Sequence, residues 1–386
     1  MTDSPFKAVF GLKEGSVETW SGLHGSSLSL ALLAAANAAD RVTLVVTRSS
    51  RQAQMLHRDL ELLSTDELPA LLFPDHETLP YDPFSPHPDI ISERLKTLSV
   101  LSTLSKGILL CPVSSLAQKL PPASYILQRS FNLAEGDRLV IGKFRRQLDH
   151  AGYSASEQVY QAGQYAVRGS VIDLFPAGSN TPYRIDLFDE DIDTIRIFDA
   201  ESQRSTGKVE RIELLPAREF PCDEAGLEGF RKAFRNRFDV DTRHVNLYQD
   251  LRQGILPQGL EQYLPLFYGE TSFLLDYLDH APHTVLQAGT EKAARVMTRR
   301  TLERWEQRRH DIERPVLDPQ ELFFQPEEIT SRLDELSVTH LPDDDSRQPA
   351  RPRFSTAPAP DLHIHERGKE AAADLLSFLH GFSGRV

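Results

Sequence analysis

The sequence predicts an α/β fold in which a parallel-sheet domain is interrupted by a small β-rich inserted domain. Three observations carry that expectation. Short apolar runs such as Arg41–Thr47 and Gly107–Val113 alternate with helical spacing early in the chain, as in a parallel sheet covered by helices. From Gln164 to Asp199 apolar and polar residues instead alternate with period two, the pattern of half-buried antiparallel strands. One more apolar run, Thr284–Gln287, returns among helices, where a strand needs neighbours for its backbone hydrogen bonds. Joining the first sheet would satisfy it and make the β-rich part an insertion. A separate third domain would satisfy the same pattern.

Taken in order, Gly22–Ser27 form a turn before the Leu/Ala-rich helix Leu28–Ala39, and Arg41–Thr47 is a buried strand. Ser49–Leu63 restores helical spacing through Met55, Leu56, Leu60 and Leu63; Ala70–Phe73 is a short strand, Ile90–Leu104 a helix and Gly107–Val113 a strand. This first part is expected to end at Leu120–Pro122. Tyr125–Leu133 and Asp137–Val140 read as strands, and Ile141–Gly152 as a helix burying Phe144 and Leu148. Gly169 suggests a bulge or bend. Pro176–Asn180 make the turn before Tyr183–Phe188, Asp189–Asp191 separate that strand from Ile192–Phe198, and Val209–Leu215 continues the β character. Helical spacing returns at Ala225–Phe238, Leu247–Leu251 and Phe273–Leu278. His283–Ala288 is a strand and Glu291–His310 a long charged helix. From Thr339 the chain is rich in Pro, Asp and Arg and reads as a linker. Glu370–His380 begins another helix, and the stop at Val386 reads as a piece cut from a longer protein. The expected divisions are 1–122, the insert 123–220, 221–338, the linker 339–369 and the start of a further region at 370–386.

Composition narrows the function classes. An apolar fraction of 40% supports folded cores, and a net charge of −13 argues against a nucleic-acid surface over the whole molecule while leaving a local basic face open. Cys111 and Cys222 make neither a disulfide framework nor a CxxC zinc pattern. No secretory signal or run of transmembrane length is visible, so a soluble cytoplasmic protein without membrane contact is expected.

Chemical motifs are sparse. Gly22–Leu28 enters a helix beside a predicted parallel sheet, where a phosphate would sit, yet lacks the lysine and full glycine spacing of a P-loop. It reads as a structural remnant or a weak anion site. His76 and His87 with Asp75, Asp82 and Asp89 match no metal spacing, and Asp189, Glu190, Asp191 and Asp193 fall on a hairpin turn where acids are solvated. No catalytic, cofactor-binding or metal residue is assigned. Arg168, Arg184 and Arg196 lie on strands beside Tyr165, Tyr183 or Phe188. They form either a protein-binding face or ordinary cross-strand pairs with Asp173 and Asp186.

The stretch YAVRGSVIDLFPAGSNTPYRIDLFDEDIDTIRIFD, from Tyr165 to Asp199, closely resembles the bacterial transcription-repair coupling factors (Mfd) and their relative UvrB. PYDPFSPHPDIISERL and the surroundings of ELLPAREFP resemble the coupling factors too, and the likeness runs over roughly residues 10–335. The resemblance implies a UvrB-like module: a helicase-like parallel-sheet domain with an inserted β-rich domain, followed by a flexible linker. It implies no nucleotide chemistry here, since Gly22–Leu28 departs from UvrB's P-loop. The Asp75–Asp89 loop is shorter than the UvrB region carrying the DNA-clamping hairpin, which separates it from damage verification. ATP and magnesium are expected only for a motor beyond Val386, as are contacts to RNA polymerase and double-stranded DNA. The implied role is non-catalytic recruitment of UvrA for nucleotide excision repair, with Arg168, Arg184 and Phe188 matching residues that contact UvrA. In the intact family protein a C-terminal region masks that face. The alternatives are a nucleotide-dependent DNA-binding enzyme related to helicases, and non-specific duplex binding through Arg145–Arg146 and Arg308–Arg309.

Overall fold

The computed structural model describes residues 17–342, 354, 356–358 and 373–381. Its first part runs β1 (Val17–Thr19), α1 (Ser27–Ala38), β2 (Val42–Thr47), α2 (Ser50–Glu61), β3 (Ala70–Leu72), α3 (Pro88–Leu101) and β4 (Gly107–Pro112). Every residue of β2 and β4 is buried, as their unbroken apolar runs require when both faces of a parallel sheet are covered. Helix α2 starts at Ser49, whose hydroxyl accepts from the Gln52 N–H, and α3 starts with Pro88, whose missing N–H costs nothing in a first turn.

Two short helices follow, α4 (Val113–Leu116) and α5 (Ala123–Arg129). Helix α5 takes most of the segment expected as a strand at Tyr125–Leu133. Tyr125 and Ile126 are buried as neighbours while Leu127 and Gln128 face solvent, a helical pattern rather than an alternation, and Pro121–Pro122 set the entry. Only β5 (Phe131–Ala134) pairs as a strand. Asp137–Val140 is not a strand either: its backbone brackets a later one, with Leu139 N–H donating to the Glu190 carbonyl at 2.6 Å.

The inserted unit continues with α6 (Ile141–His150), β6 (Ser154–Ala155), β7 (Gln164–Arg168), β8 (Val171–Phe175), β9 (Tyr183–Phe188), β10 (Asp191–Phe198), β11 (Ser205–Val209) and β12 (Arg211–Leu214). A separate, mainly antiparallel sheet runs β11-β10-β9-β8-β7-β6, while β12 pairs with β5. Phe144 and Leu148 of α6 close its core against Tyr165, Ile172, Ile185 and Ile195. Gly169, at φ +62°, sits in the two-residue turn joining β7 to β8. The expected bend is therefore a full reversal between two strands.

The chain then returns through α7 (Glu224–Arg237), α8 (Asn246–Arg252) and single-turn segments to β13 (His283–Gln287), α9 (Thr290–Arg308), α10 (Pro319–Leu322), α11 (Pro326–Asp334) and β14 (Ser337–Leu341). The first sheet has the order β1-β14-β13-β2-β4-β3, with every pair parallel. Thr284 lies opposite Leu44, so the late strand joins the sheet of β2 and β4 as expected, and the β-rich unit interrupts one α/β fold. Strand β14 also overturns the expectation of a linker from Thr339. It is held between β1 and β13, with the Thr339 hydroxyl 3.0 Å from Nε2 of buried His283. Of the remaining expected linker, residues 343–353, 355 and 359–369 lie outside the described residues. Helix α12 (Ala373–Gly381) falls in the expected further region, whose residues 370–372 and 382–386 also lie outside them. No described helix is long and apolar enough to cross a membrane.

Candidate functional site

Alternation on β9 sends Ile185 and Leu187 into the core and Arg184, Asp186 and Phe188 to the opposite face. On β8, Ile172 and Leu174 point to the core and Asp173 to that outer face, directly opposite Arg184. Arg184 grips it with two hydrogen bonds, Nε to Oδ1 at 2.7 Å and Nη2 to Oδ2 at 2.9 Å. These bonds hold the guanidinium pKa above its ordinary value. Its Nη1 donates to the Gln203 carbonyl at 3.2 Å, and its carbon centre lies 4.9 Å over the Phe198 ring. The Arg184 side chain is 19% exposed, so it acts as a strut within the face.

Arg168 and Phe188 are the projecting groups. Arg168 Nη1 lies 3.9 Å from Asp173 Oδ2, which places it on the same face as Arg184, and Nη2 donates to the Glu157 carbonyl at 2.5 Å. Phe188 is 79% exposed at the end of β9. The Leu187 N–H donates to the Ser170 carbonyl, so Phe188 stands beside the turn that Arg168 enters. Arg196 completes the set by pairing with Asp186, Nη2 to Oδ2 at 2.6 Å. The cross-strand reading of the arginines is visible in Arg184 and Arg196, whose partners are Asp173 and Asp186. Arg184 and Arg196 are cross-strand partners, while Arg168 and Phe188 offer a directed donor and an apolar ring to solvent.

Sequence reasoning gave Asp173 no more than the part of an ion-pair partner. It is the hub of the face, and its signal is an acid in the middle of the apolar run VIDLF, matched in register to the arginine of YRIDLF. The acidic turn is a hairpin as expected. Glu190 engages Arg138 through Nη2 at 2.5 Å, and Asp189 adopts φ +59°.

The other singled-out stretches have structural partners. His76 Nε2 lies 2.9 Å from Glu219 Oε2, and Arg94 Nε is 2.8 Å from Glu219 Oε1. Burial alone would raise the Glu219 pKa; Arg94 and His76 outweigh it and hold it at about 2. This network ties the Asp75–Asp89 loop to α3 and to the AREFP segment leaving the insert. At Gly22–Leu28 the chain packs a strap of its own. Phe354 N–H donates to the Ser21 carbonyl at 2.8 Å, and its ring meets Trp20 edge-on. The Thr356 hydroxyl donates to the Gly22 carbonyl at 2.7 Å and accepts from the His24 N–H at 3.0 Å. Gly22 has φ +72°, and a Cβ there would stand 2.2 Å from the Phe354 oxygen.

Comparison with known proteins accords with this geometry. Residues 131–220 match the family described as UvrB interaction domain. The chain is 41% identical over 347 residues to the transcription-repair-coupling factor of Haemophilus influenzae, covering 89% of this chain and 30% of that protein. To the transcription-repair-coupling factor of Escherichia coli it is 36% identical over 389 residues, covering 99% of this chain and 33% of the relative. For that of Bacillus subtilis the figures are 30% identity over 288 residues, 70% and 24%. The chain spans about a third of the length of the first two relatives. It is thus related over nearly its whole length to the transcription-repair-coupling factors, with residues 131–220 corresponding to the UvrB interaction domain.

Proposed function

We propose that this chain serves transcription-coupled repair by recruiting UvrA through the outer face of β7 to β10, without chemistry of its own. The observation that carries the reading is Phe188, exposed on a rigid sheet beside Arg168, within the segment that matches the UvrB interaction domain. An exposed ring flanked by a directed cation is a protein hot spot in waiting. Buried Asp173 fixes Arg184 and the Glu157 carbonyl holds Arg168, so the face is ordered before a partner arrives and little entropy is lost on binding. In the intact cytoplasmic protein, contacts to RNA polymerase and duplex DNA, an ATP- and magnesium-dependent motor, and masking of this face by a C-terminal region would belong to other parts.

Calorimetric titration of UvrA into the wild-type chain, Arg168→Ala and Phe188→Ala tests the reading. Each substitution is expected to cost about 2 kcal/mol, roughly thirtyfold in affinity. Unchanged affinity in both folded variants removes this face and turns attention to Asp189–Asp191. The helicase-like alternative rests on the glycine turn before α1, and the Thr356 hydroxyl there argues against it. Phosphate release from ATP and magnesium above a buffer control would revive it.

A further inference from the structure

The Pro74–Pro86 loop presents two large apolar side chains that the recruitment face does not use. Leu79 and Phe84 are 58% and 66% exposed. The loop beneath them is fastened at three points. Tyr81, at φ +66°, donates its buried hydroxyl to the Leu317 carbonyl at 3.0 Å. The Asp82 carbonyl accepts from Gln262 at 2.5 Å while its carboxylate pairs with Arg304. Ser85 donates to Glu261 Oε2 at 2.7 Å and accepts from the Gly259 N–H at 2.9 Å. Ordering a loop so firmly while leaving Leu79 and Phe84 in water is the mark of a surface held ready for a partner.

Beside the loop, along α9, lies a cavity of about 730 Å³ lined in part by Val113, Leu264, Val296, Met297 and Leu322. Its charges are unevenly engaged. Glu219 holds Arg94 and His76, Glu261 holds Arg218, Glu303 faces Arg299, and Asp75 accepts from the Glu77 N–H. Lys119, 5.5 Å over the Phe324 ring, and Arg300 make no ion pair among the described residues. The wall therefore offers apolar area, Arg300 without an ion pair among the described residues, and Lys119, whose charge is shared only at longer range with Glu321.

We propose that this groove docks an amphipathic helical segment of another protein, with aliphatic side chains entering beside Phe84 and Leu79 and Asp or Glu side chains meeting Lys119 and Arg300. A helix is favoured over an extended peptide because the loop backbone is already bonded, whereas a helix satisfies its own polar backbone. Nucleic acid is disfavoured by the apolar lining and by a net charge of −13, which repels a polyanion at distance.

The test uses the whole chain and three fluorescein-labelled probes: a model helix with Leu at i, i+3, i+4 and i+7 flanked by Glu, the same helix flanked by Lys, and an oligothymidylate. Anisotropy titration is expected to show saturable binding of the Glu helix, at least about tenfold tighter than the Lys helix. Phe84→Ala and Leu79→Ala should each weaken it about fivefold or more without shifting the melting temperature, as both groups are exposed. Arg300→Glu should reverse the preference between the two helices, and Phe188→Ala should leave both unchanged. No saturable binding of the Glu helix, equal binding of the two helices, insensitivity to Phe84→Ala and Arg300→Glu, or tighter binding of the oligothymidylate would each overturn the proposal.

Discussion

Arg184 and Asp173 face each other across β9 and β8, joined by two hydrogen bonds, and the aspartate is 3% exposed. Truncating the arginine strands that carboxylate in the protein. Breaking a buried pair costs about 3 kcal/mol or more, here reduced because Arg168 still lies 3.9 Å away. Arg184→Ala should therefore lower the melting temperature of the insert as well as any affinity. Arg184→Lys should recover only part, because an ammonium cannot fork onto two oxygens. A denaturant-melt difference below about 1 kcal/mol would show that the pair is not structural.

Phe188 should behave in the opposite way. Its exposure means that Phe188→Ala removes almost no buried area, so stability should stay within about 0.5 kcal/mol. A clear fall in melting temperature would mean that the ring supports the sheet, and binding data on this variant would then need reinterpretation.

Acid should act in two separable windows. Burial lowers the His283 pKa from 6.5 to about 4. The folded state disfavours the charged ring, so the stability held at neutral pH is lost as pH falls from 6.5 toward 4. Glu219 is depressed from 4.5 to about 2, so its contribution is present above 4.5 and lost between 4.5 and 2. Urea melts of wild type and Glu219→Gln across pH should show a gap that is constant above pH 5 and narrows through the lower window. A gap that stays constant down to pH 2 contradicts an ionised Glu219 paired with Arg94.

The strap beside α1 makes a fourth expectation. Gly22→Ala places a Cβ against the Phe354 oxygen and forces a residue with a side chain to φ +72°. Thr356→Val only removes a hydroxyl bonded to His24 and Gly22. Both should speed hydrogen exchange at the His24 amide, Gly22→Ala more strongly and Thr356→Val only modestly, because the same N–H also donates to the Ser27 hydroxyl at 2.8 Å. Unchanged protection in both variants would mean that the strap does not shield that amide in solution.

Much of this architecture was legible in the sequence, for physical reasons that differ by element. Strands β2 and β4 are buried on both faces and so announce themselves as apolar runs. The hairpins of the insert follow from alternation and from Gly169. Strand β14 escaped because SVTHL sits between two strands and takes its burial from them, so its buried serine and threonine need no apolar company. Helix α5 was hidden for a related reason: seven residues give too little periodicity to tell a buried helix from a strand. On the candidate face, period two put Arg184 and Phe188 on one side. What it could not convey is that Arg184 is held down and Arg168 raised, because that depends on Asp173, Gln203 and Glu157 arriving from other segments.

The strap at Phe354 and Thr356 also sets a leash. From Pro342, the end of the continuous described chain, the backbone to Ala373 could extend at most about 100 Å; from Pro358, beside the strap, it could extend only about 50 Å. Two side chains and a glycine without a Cβ therefore halve the greatest covalent reach between the start of α1 and α12.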